Sequence, residues 1–258
     1  MSRFSKAIFF VLLVAGSAFA QAPPASDPQA LAFAAQSIGV LTGGMNISDV
    51  TLTGTVTWNG TDTGNATLKA LGSNESRMDL ALAGGTRTEI RDSQTGAPLG
   101  EWINPDNTSG QFASQNCQTD AVWFFPALGS LAGRPNVVLS YIGQETRNRA
   151  TVQHLQSYVY QSGWPARVSP SPQQLSTVDF YLDATTFLPV VVTFNVHPDA
   201  DSSTNLLVEV DFSNYQGNGG VMVPTHVQKY QQGALLLDLT VTGSTFNSGL
   251  PLSTFTVN

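Results

Sequence analysis

The sequence predicts a mainly β protein built on one strongly curved antiparallel sheet, an unclosed half-barrel of about ten to eleven strands. Apolar and polar residues alternate along several segments, and short turn sequences rather than helices separate those segments. A period of two places the apolar residues on one face of a sheet, and antiparallel sheets are the kind that keep the other face in water. So many strands curl an open twisted sheet, which predicts the curvature.

Residues 1–20 have the layout of a secretory signal peptide. Arg3 and Lys6 precede an apolar stretch over residues 7–15, and the segment ends in Ala18-Phe19-Ala20. A small-x-small end is a cleavage site, and the apolar stretch is shorter than the roughly 18 residues of a membrane anchor. We therefore expect cleavage after Ala20 and a mature protein in the periplasm or secreted, with no transmembrane segment.

The rest of the chain, residues 21–258, reads as one domain because no linker divides it. Its first element is a helix that begins with Asp27 as N-cap and Pro28 in the first turn and ends at Gly43-Gly44. One stripe of this helix is apolar and is predicted to cover part of the sheet. The stripe consists of Leu31, Ala34, Ala35 and Ile38.

Strands follow wherever the alternation is strict. It is clearest over residues 50–58, 190–196, 206–212 and 235–241. Stretches rich in turn-forming residues predict turns between the strands, at residues 59–64, 72–76, 84–85, 94–98 and 215–220. The Pro- and Ser-rich stretch 162–174 is long for a hairpin connection, but it lies between strands of the same predicted sheet.

A second helix is predicted over residues 119–132. Thr119 or Asp120 would cap it, and Pro126 would kink it by removing a backbone hydrogen bond. A short, kinked, aromatic-rich segment between two groups of strands is not typical of a plain surface helix.

Charge and cysteine content exclude several classes of function. Without Arg3 and Lys6, nine basic residues oppose 18 acidic ones, a net charge of −9. Nucleic acids and anionic membrane surfaces are therefore not expected partners. Cys117 is the sole cysteine, so no intramolecular disulfide can form. A partly buried thiol is favoured over intermolecular pairing.

The sequence contains no catalytic or metal-binding motif. His154, His197 and His226 are far apart, so we predict no metal and no cofactor. Several acidic residues are interpreted without chemistry: Asp183, Asp199 and Asp201 as turn formers, and Glu209 and Asp211 as solvated residues on one strand face. The third alternative is a secreted hydrolase with an unrecognised site. Glycoside hydrolysis needs two acids that project into one cleft, and the sequence does not indicate such a pair.

Large aromatic side chains are the remaining candidates for a site. They are Trp58, Trp102, Trp123, Phe124 and Phe125. Any one of them can simply fill the core. Together they are more suggestive, because a curved sheet of this size encloses more volume than two helices fill and such folds tend to hold a ligand cavity.

The second half of the chain resembles a known superfamily. From Val178 it reads VDFYLDATTFLPVVVTF, and then a strand ends in FSNY before a glycine-rich turn, a Val-Pro pair and two strands that close the chain. This order is similar to the C-terminal half of the lipoprotein-carrier (LolA/LolB-like) superfamily, in particular its secreted outer-membrane lipoprotein-sorting-like proteins. The segment VWFFPALGSL resembles the short helix over the barrel mouth in that group.

The resemblance implies an unclosed barrel around helices, with an apolar cavity for acyl chains. It also implies that Trp102, Trp123, Phe124 and Phe125 contact ligand, and that Asp183, Pro189, Tyr215 and Pro224 shape turns. The basic latch of the dedicated carriers has no counterpart that the sequence identifies.

The expected function is therefore binding of a lipid or another acylated ligand by a non-enzymatic envelope protein. The alternative is an interaction or sensor module that binds an envelope protein, for example by strand addition at the open sheet edge.

Overall fold

The computed structural model describes residues 24–72, 75–92, 99–120, 125, 136–165 and 168–257, the side chains of residues 118 and 120 excepted. The signal-peptide prediction for residues 1–20 therefore lies outside the described residues. Within the described part, no helix has the length and apolar character needed to cross a membrane.

Strands dominate the fold. They are β1 (Asp49–Trp58), β2 (Asp62–Leu71), β3 (Glu75–Leu82), β4 (Gly85–Asp92), β5 (Leu99–Ile103), β6 (Ser109–Gln111), β7 (Val137–Arg147), β8 (Ala150–Val159), β9 (Val178–Asp183), β10 (Pro189–Val196), β11 (Leu206–Asn218), β12 (Val221–Gln231) and β13 (Ala234–Phe246). The helices are α1 (Pro28–Thr42), α2 (Ser114–Asp120), α3 (Pro172–Ser176) and a C-terminal 3-10 helix (Leu252–Phe255).

The described strands form one unclosed antiparallel sheet, in the order β6-β5-β4-β3-β2-β1-β13-β12-β11-β10-β9-β8-β7. The predicted fold class is confirmed, but the sheet has 13 strands rather than ten or eleven. Strands as short as β5 and β6, of 5 and 3 residues, offer too little length for an alternating pattern to be recognised.

Two meanders build this sheet. The first runs from β1 to β6 and the second from β7 to β13, and pairing of β1 with β13 joins them. Because β6 and β7 are the opposite edges, the connection between them, residues 112–136, must cross from one edge to the other. The described residues of this crossover are 112–120, which include α2, together with 125 and 136.

The core lies on one face of the sheet, here called the inner face. The alternation predicted for β1 is confirmed, since Val50, Leu52 and Val56 are buried in the core. The core also takes in Phe125 of the crossover and apolar residues of β8 to β13. On this face the half-barrel is therefore packed around α1 and Phe125.

Helix α1 begins and ends as predicted. The Asp27 carboxylate accepts a hydrogen bond from the Gln29 backbone NH at 2.7 Å, and Gly43 ends the helix in the left-handed conformation. Its buried stripe is different from the predicted one and consists of Ala30, Ala34, Ser37 and Leu41, while Leu31 is 45% exposed and Ala35 is also exposed. Three of these four residues are small, which allows a close approach of the helix to β7 and β12.

The second helix predicted, over residues 119–132, lies mostly outside the described residues. Helix α2 ends at Asp120, so Thr119 and Asp120 lie in its last turn and the predicted N-cap is wrong. Of the predicted span after Asp120, only Phe125 belongs to the described residues. A one-turn helix, α3, occupies part of the Pro-rich stretch that the sequence presented as a plain connection, with Ser171 as its N-cap.

The opposite, outer face of the sheet is partly covered too. The C-terminal 3-10 helix contacts β3 and β4. The alternation over residues 190–196 predicts Val192 and Phe194 on the buried face and Val191 and Thr193 on the solvated one. On β10, Val191 and Thr193 are buried as well. The reason is tertiary: Tyr181 and Val152 pack beside Val191, and His154 and Arg147 stack on Tyr181.

Candidate functional site

A strip of charged residues runs along the inner face of β4. The register between β3 and β4 shows which face these residues occupy, because Arg87 pairs with Leu80 and Glu89 pairs with Met78. Leu80 and Met78 belong to the core, and directly opposed residues of an antiparallel pair point to the same face. Arg91 follows two residues later on that face, so Arg87, Glu89 and Arg91 form what we call the inner charged strip.

One carboxylate connects the two guanidinium groups of the strip. Arg87 donates to one oxygen of Glu89 through Nη2 at 2.7 Å and through Nε at 3.1 Å. Arg91 donates to the other oxygen at 3.0 Å. The Arg91 and Glu89 side chains are only 2% and 6% exposed, whereas Arg87 is 16% exposed and forms the outer end of the strip.

Aromatic rings support both arginines. The Arg87 guanidinium lies 4.8 Å from the centre of the Trp58 ring, and that of Arg91 lies 4.4 Å from the centre of the Phe112 ring. At these distances a cation is attracted to the ring face. The strip therefore combines charge with flat apolar surface.

Trp102 completes this surface. It is paired directly with Glu89 on the neighbouring strand and is half-buried. On its far side the ring lies over Gly110, where a Cβ atom would be 2.5 Å from the ring. A glycine is therefore required on β6 for the indole to lie flat against the sheet.

The structure brings two of the predicted ligand-contacting residues together. Trp58 and Trp102 both lie beside the inner charged strip. Phe125 is 1% exposed in the core, with its ring 5.8 Å from that of Phe246. Trp123 and Phe124 lie outside the described residues.

Sequence reasoning missed the inner charged strip. The segment TRTEIRD alternates charged residues with Thr and Ile, which is typical of a strand with a solvated face. Only the pairing of β4 with β3 shows that the charges face inward. A weak signal existed in Ile90, the apolar residue that interrupts the polar series.

Helix α2 lies near the Arg91 end of the strip and contacts both β5 and β10. Asn116 holds it to the end of β10 by donating to the His197 carbonyl at 2.8 Å and accepting from the His197 NH at 2.7 Å. The Cys117 thiol is buried, as predicted, and contacts β5 so closely that a Cβ at Gly100 would lie 2.7 Å from the sulfur. Between α2 and α3 a groove of about 250 Å³ opens beside Trp164.

The turn DATTFLP anchors α1 to the sheet. Asp183 accepts hydrogen bonds from the backbone NH of Thr185 and Thr186 at 3.0 and 2.7 Å. Burial raises the pKa of the Asp183 carboxyl, but these hydrogen bonds lower it below its usual range. Phe187, at a φ of 60°, directs its ring to within 5.5 Å of Phe33 on α1. The Tyr215 hydroxyl donates to the Pro189 carbonyl at 2.7 Å. Tyr215 and Pro224 lie within β11 and β12 and pair with each other, so the implied turn role agrees with the geometry for Asp183 but not for these two residues.

The three histidines stay apart. His154 lies between Glu145 at 3.2 Å and Asp179 at 2.8 Å, and His226 contacts Asp238 at 2.9 Å. Among the residues described, no group of three or more His, Cys, Asp or Glu side chains is arranged to hold a metal ion.

The acidic pair on β11 is less solvated than its sequence suggests. Glu209 forms an ion pair with Arg147 at 2.5 Å on the outer face. Burial and the neighbouring Glu209 carboxylate raise the pKa of Asp211 to about 6. Two adjacent acids thus share one outer-face site, on the side of the sheet opposite the inner charged strip.

Comparison with known proteins identifies solved structures of similar fold. No protein-family model matches the chain, and no curated protein matches it. A domain assigned to outer-membrane lipoprotein sorting from Vibrio parahaemolyticus superposes with a TM-score of 0.54 at 15% identity, over 88% of this chain and 96% of that one. A DUF1329 family protein from Desulfovibrio piger gives 0.53 at 10% identity, over 90% and 98%.

A LolA superfamily protein from Nitrosomonas europaea gives a TM-score of 0.51 at 11% identity, over 88% of this chain and 97% of that one. At such identities the likeness is one of fold. The expected resemblance to the lipoprotein-carrier superfamily is confirmed at that level.

Proposed function

We propose that this protein binds a lipid or another acylated ligand on the inner face of its half-barrel and carries no catalytic activity. The observation that supports it best is the position of two half-buried indoles: Trp58 lies against Arg87 and Trp102 is paired with Glu89 of the inner charged strip. The likeness of fold to a lipoprotein-sorting domain and a LolA superfamily protein points the same way. We also propose an envelope location, in the periplasm or outside the cell.

Apolar surface alone supplies enough affinity for such a ligand. Burial of an acyl chain contributes about 0.8 kcal/mol per methylene, so ten buried methylenes yield about 8 kcal/mol before the costs of ordering are subtracted. The indole rings offer flat apolar surface against which a chain can lie. The net negative charge of the protein therefore does not prevent binding of a mostly apolar molecule.

The sheet edges give little support to the alternative, in which an envelope protein adds a strand. At the β7 edge, the Asp27 NH donates to the Leu139 carbonyl at 2.8 Å and the Ser26 hydroxyl accepts from the Leu139 NH at 3.0 Å. Further along β7 a bulge at Gly143 interrupts the register. At the other edge β6 is 3 residues long. Short, covered or bulged edges are devices that discourage strand addition.

The proposal is tested first by mass spectrometry of an organic extract of the protein, purified from the periplasm without detergent. We expect a stoichiometric lipid or acylated species. An empty extract, both as purified and after incubation with phospholipid vesicles, would contradict the proposal.

Variants then locate the site. Trp102→Ala is expected to weaken binding of a pyrene-labelled fatty alcohol at least tenfold, because it removes the ring beside the strip. The matched control is Leu207→Ala, which truncates a side chain that is 44% exposed on the outer face and should change binding less than twofold. Equal effects of the two variants would place the ligand elsewhere.

A further inference from the structure

Three charged residues on an inner strand face are costly for the fold. The inner side chains of the neighbouring strand β3 at the same level, Met78 and Leu80, are 1% and 0% exposed and belong to the core. Removing charges from water costs several kcal/mol per ion, and a buried pair seldom repays that cost. Departures from binary patterning of this kind are expected at functional sites.

Glu89 shows what the two arginines are arranged to hold. Its carboxylate lies between them, and Arg87 grips one oxygen through two N–H groups. A planar guanidinium presents several N–H donors in one plane and can hold carboxylate or phosphate oxygens through more than one of them. The inner face is thus already shaped around an oxyanion.

Arg87 is the member of the strip that a ligand can reach. It is the most exposed of the three, at 16%, and it lies over the Trp58 ring. It also donates to the amide oxygen of Asn104 in the β5–β6 turn. An anion that arrives at this end meets a guanidinium that is oriented by a ring on one side and by polar groups on the other.

We propose that the inner charged strip recognises the anionic headgroup of an acylated ligand, a carboxylate or a phosphate, with Arg87 as its principal contact. The inference rests on the proposed function and specifies its ligand class. The headgroup binds at Arg87 beside Trp58, and the acyl chain extends over Trp102. Since the protein as a whole is acidic, the preference for an anion comes from this local site and not from the overall charge.

The test compares three amphiphiles with the same chain, titrated calorimetrically into the delipidated full-length mature protein: dodecanoate, dodecyl phosphate and dodecanol. We expect at least one of the two anions to bind tenfold or more tightly than the uncharged alcohol. The stronger of the two anions identifies the carboxylate or the phosphate as the natural headgroup chemistry.

Variants connect this preference to the strip. Arg87→Gln should reduce the ratio of anion to alcohol affinity to less than twofold, with affinity for dodecanol almost unchanged. Arg87→Lys keeps the charge but loses the fork and should retain part of the preference. The matched control is Arg77→Gln, which removes an arginine that pairs with Asp79 at 2.7 Å on the outer face of β3 and should keep the full ratio.

The outcomes separate the two proposals. Equal affinity of the wild-type protein for anion and alcohol would overturn the headgroup site and leave lipid binding intact. A preference that survives Arg87→Gln would overturn it as well. Failure of all three amphiphiles to bind would contradict the proposed function itself.

Discussion

The pKa of Asp211 differs from that of a solvated aspartate because of the residues packed around it in the fold. It lies on the outer face of β11, and one of its carboxylate oxygens is buried without a hydrogen-bond partner among the described residues. Burial and the adjacent Glu209 raise its pKa to about 6 from 3.8. Because the raised pKa belongs to the folded state, the folded protein binds this proton more tightly than the unfolded chain does.

The raised pKa of Asp211 makes the free energy of unfolding depend on pH. The stabilisation by protonated Asp211 is fully present below about pH 3.8 and is lost as the pH rises through about 6. Above that pH the folded protein contains a charged, poorly solvated carboxylate. Asp211→Asn should therefore raise the free energy of unfolding by about 1 kcal/mol at pH 8, discounted for partial exposure, and by much less at pH 4. Urea unfolding at the two pH values measures this. A larger gain at pH 4 than at pH 8 would refute the assignment.

Alternation along a single strand does not show which of its two faces is buried. Arg87, Glu89 and Arg91 have the pattern of a solvated strand face, yet they face the core side of the sheet. Thr193 has the pattern of an exposed residue and is 5% exposed. In both cases the decisive information lies on the neighbouring strands, β3 for the charges of β4 and β9 for Thr193 of β10.

At the scale of elements, the packing of α1 depends on a close approach of its C-terminus to the sheet. Gly43 and Gly44 both have positive φ, at 59° and 81°. They differ in their surroundings, because a Cβ at Gly43 would lie 2.4 Å from the carbonyl oxygen of Gly220 in the β11–β12 turn, whereas a Cβ at Gly44 would have no neighbour within 4 Å. The helix end is therefore fitted against a backbone atom that cannot easily move.

This difference predicts the cost of adding one methyl group. Gly43→Ala and Gly44→Ala both introduce backbone strain of about 1 kcal/mol. Gly43→Ala should lose about 2 kcal/mol more, because it also forces the helix away from the turn. Urea midpoints of the two variants give the comparison. If they are equally destabilised, the close approach of α1 to Gly220 does not exist in solution.

At the scale of the whole molecule, the β1–β13 pairing holds the two meanders together. The register shifts between Thr53 and Gly54, and a Cβ at Gly54 would lie 2.1 Å from the carbonyl oxygen of Thr240. One sheet, and with it one shared inner face, depends on this contact.

Gly54→Ala should accordingly destabilise the whole protein by about 3 kcal/mol. Gly39→Ala on α1 provides a control of opposite sign, because a Cβ there would have no neighbour within 4 Å and alanine is favoured over glycine in a helix by about 1 kcal/mol. Thermal and urea unfolding of both variants test this. Unchanged stability of Gly54→Ala would contradict the tight seam.

Much of the architecture was predictable from the sequence because it depends on local patterns. The alternation of β1, the cap at Asp27, the left-handed end at Gly43 and the turn role of Asp183 all depend on residues within a few positions of each other. The strand count was underestimated, the helix N-cap predicted at Thr119 or Asp120 was wrong, and the predicted stripe of α1 was right for Ala34 but wrong for Leu31 and Ala35. These errors occur where strands are short or where packing against a distant element decides which face is buried.

By itself, the sequence determined that this is a mainly β, antiparallel, unclosed sheet with an N-terminal helix, because a period of two and turn chemistry are properties of the chain alone. Only the tertiary structure decided that β4 turns its charges inward, that Trp58 and Trp102 lie beside them, and that the two meanders meet at Gly54. The physical reason is that a strand has two faces of equal geometry. Which of them is buried depends on partners that the chain brings together only when it folds.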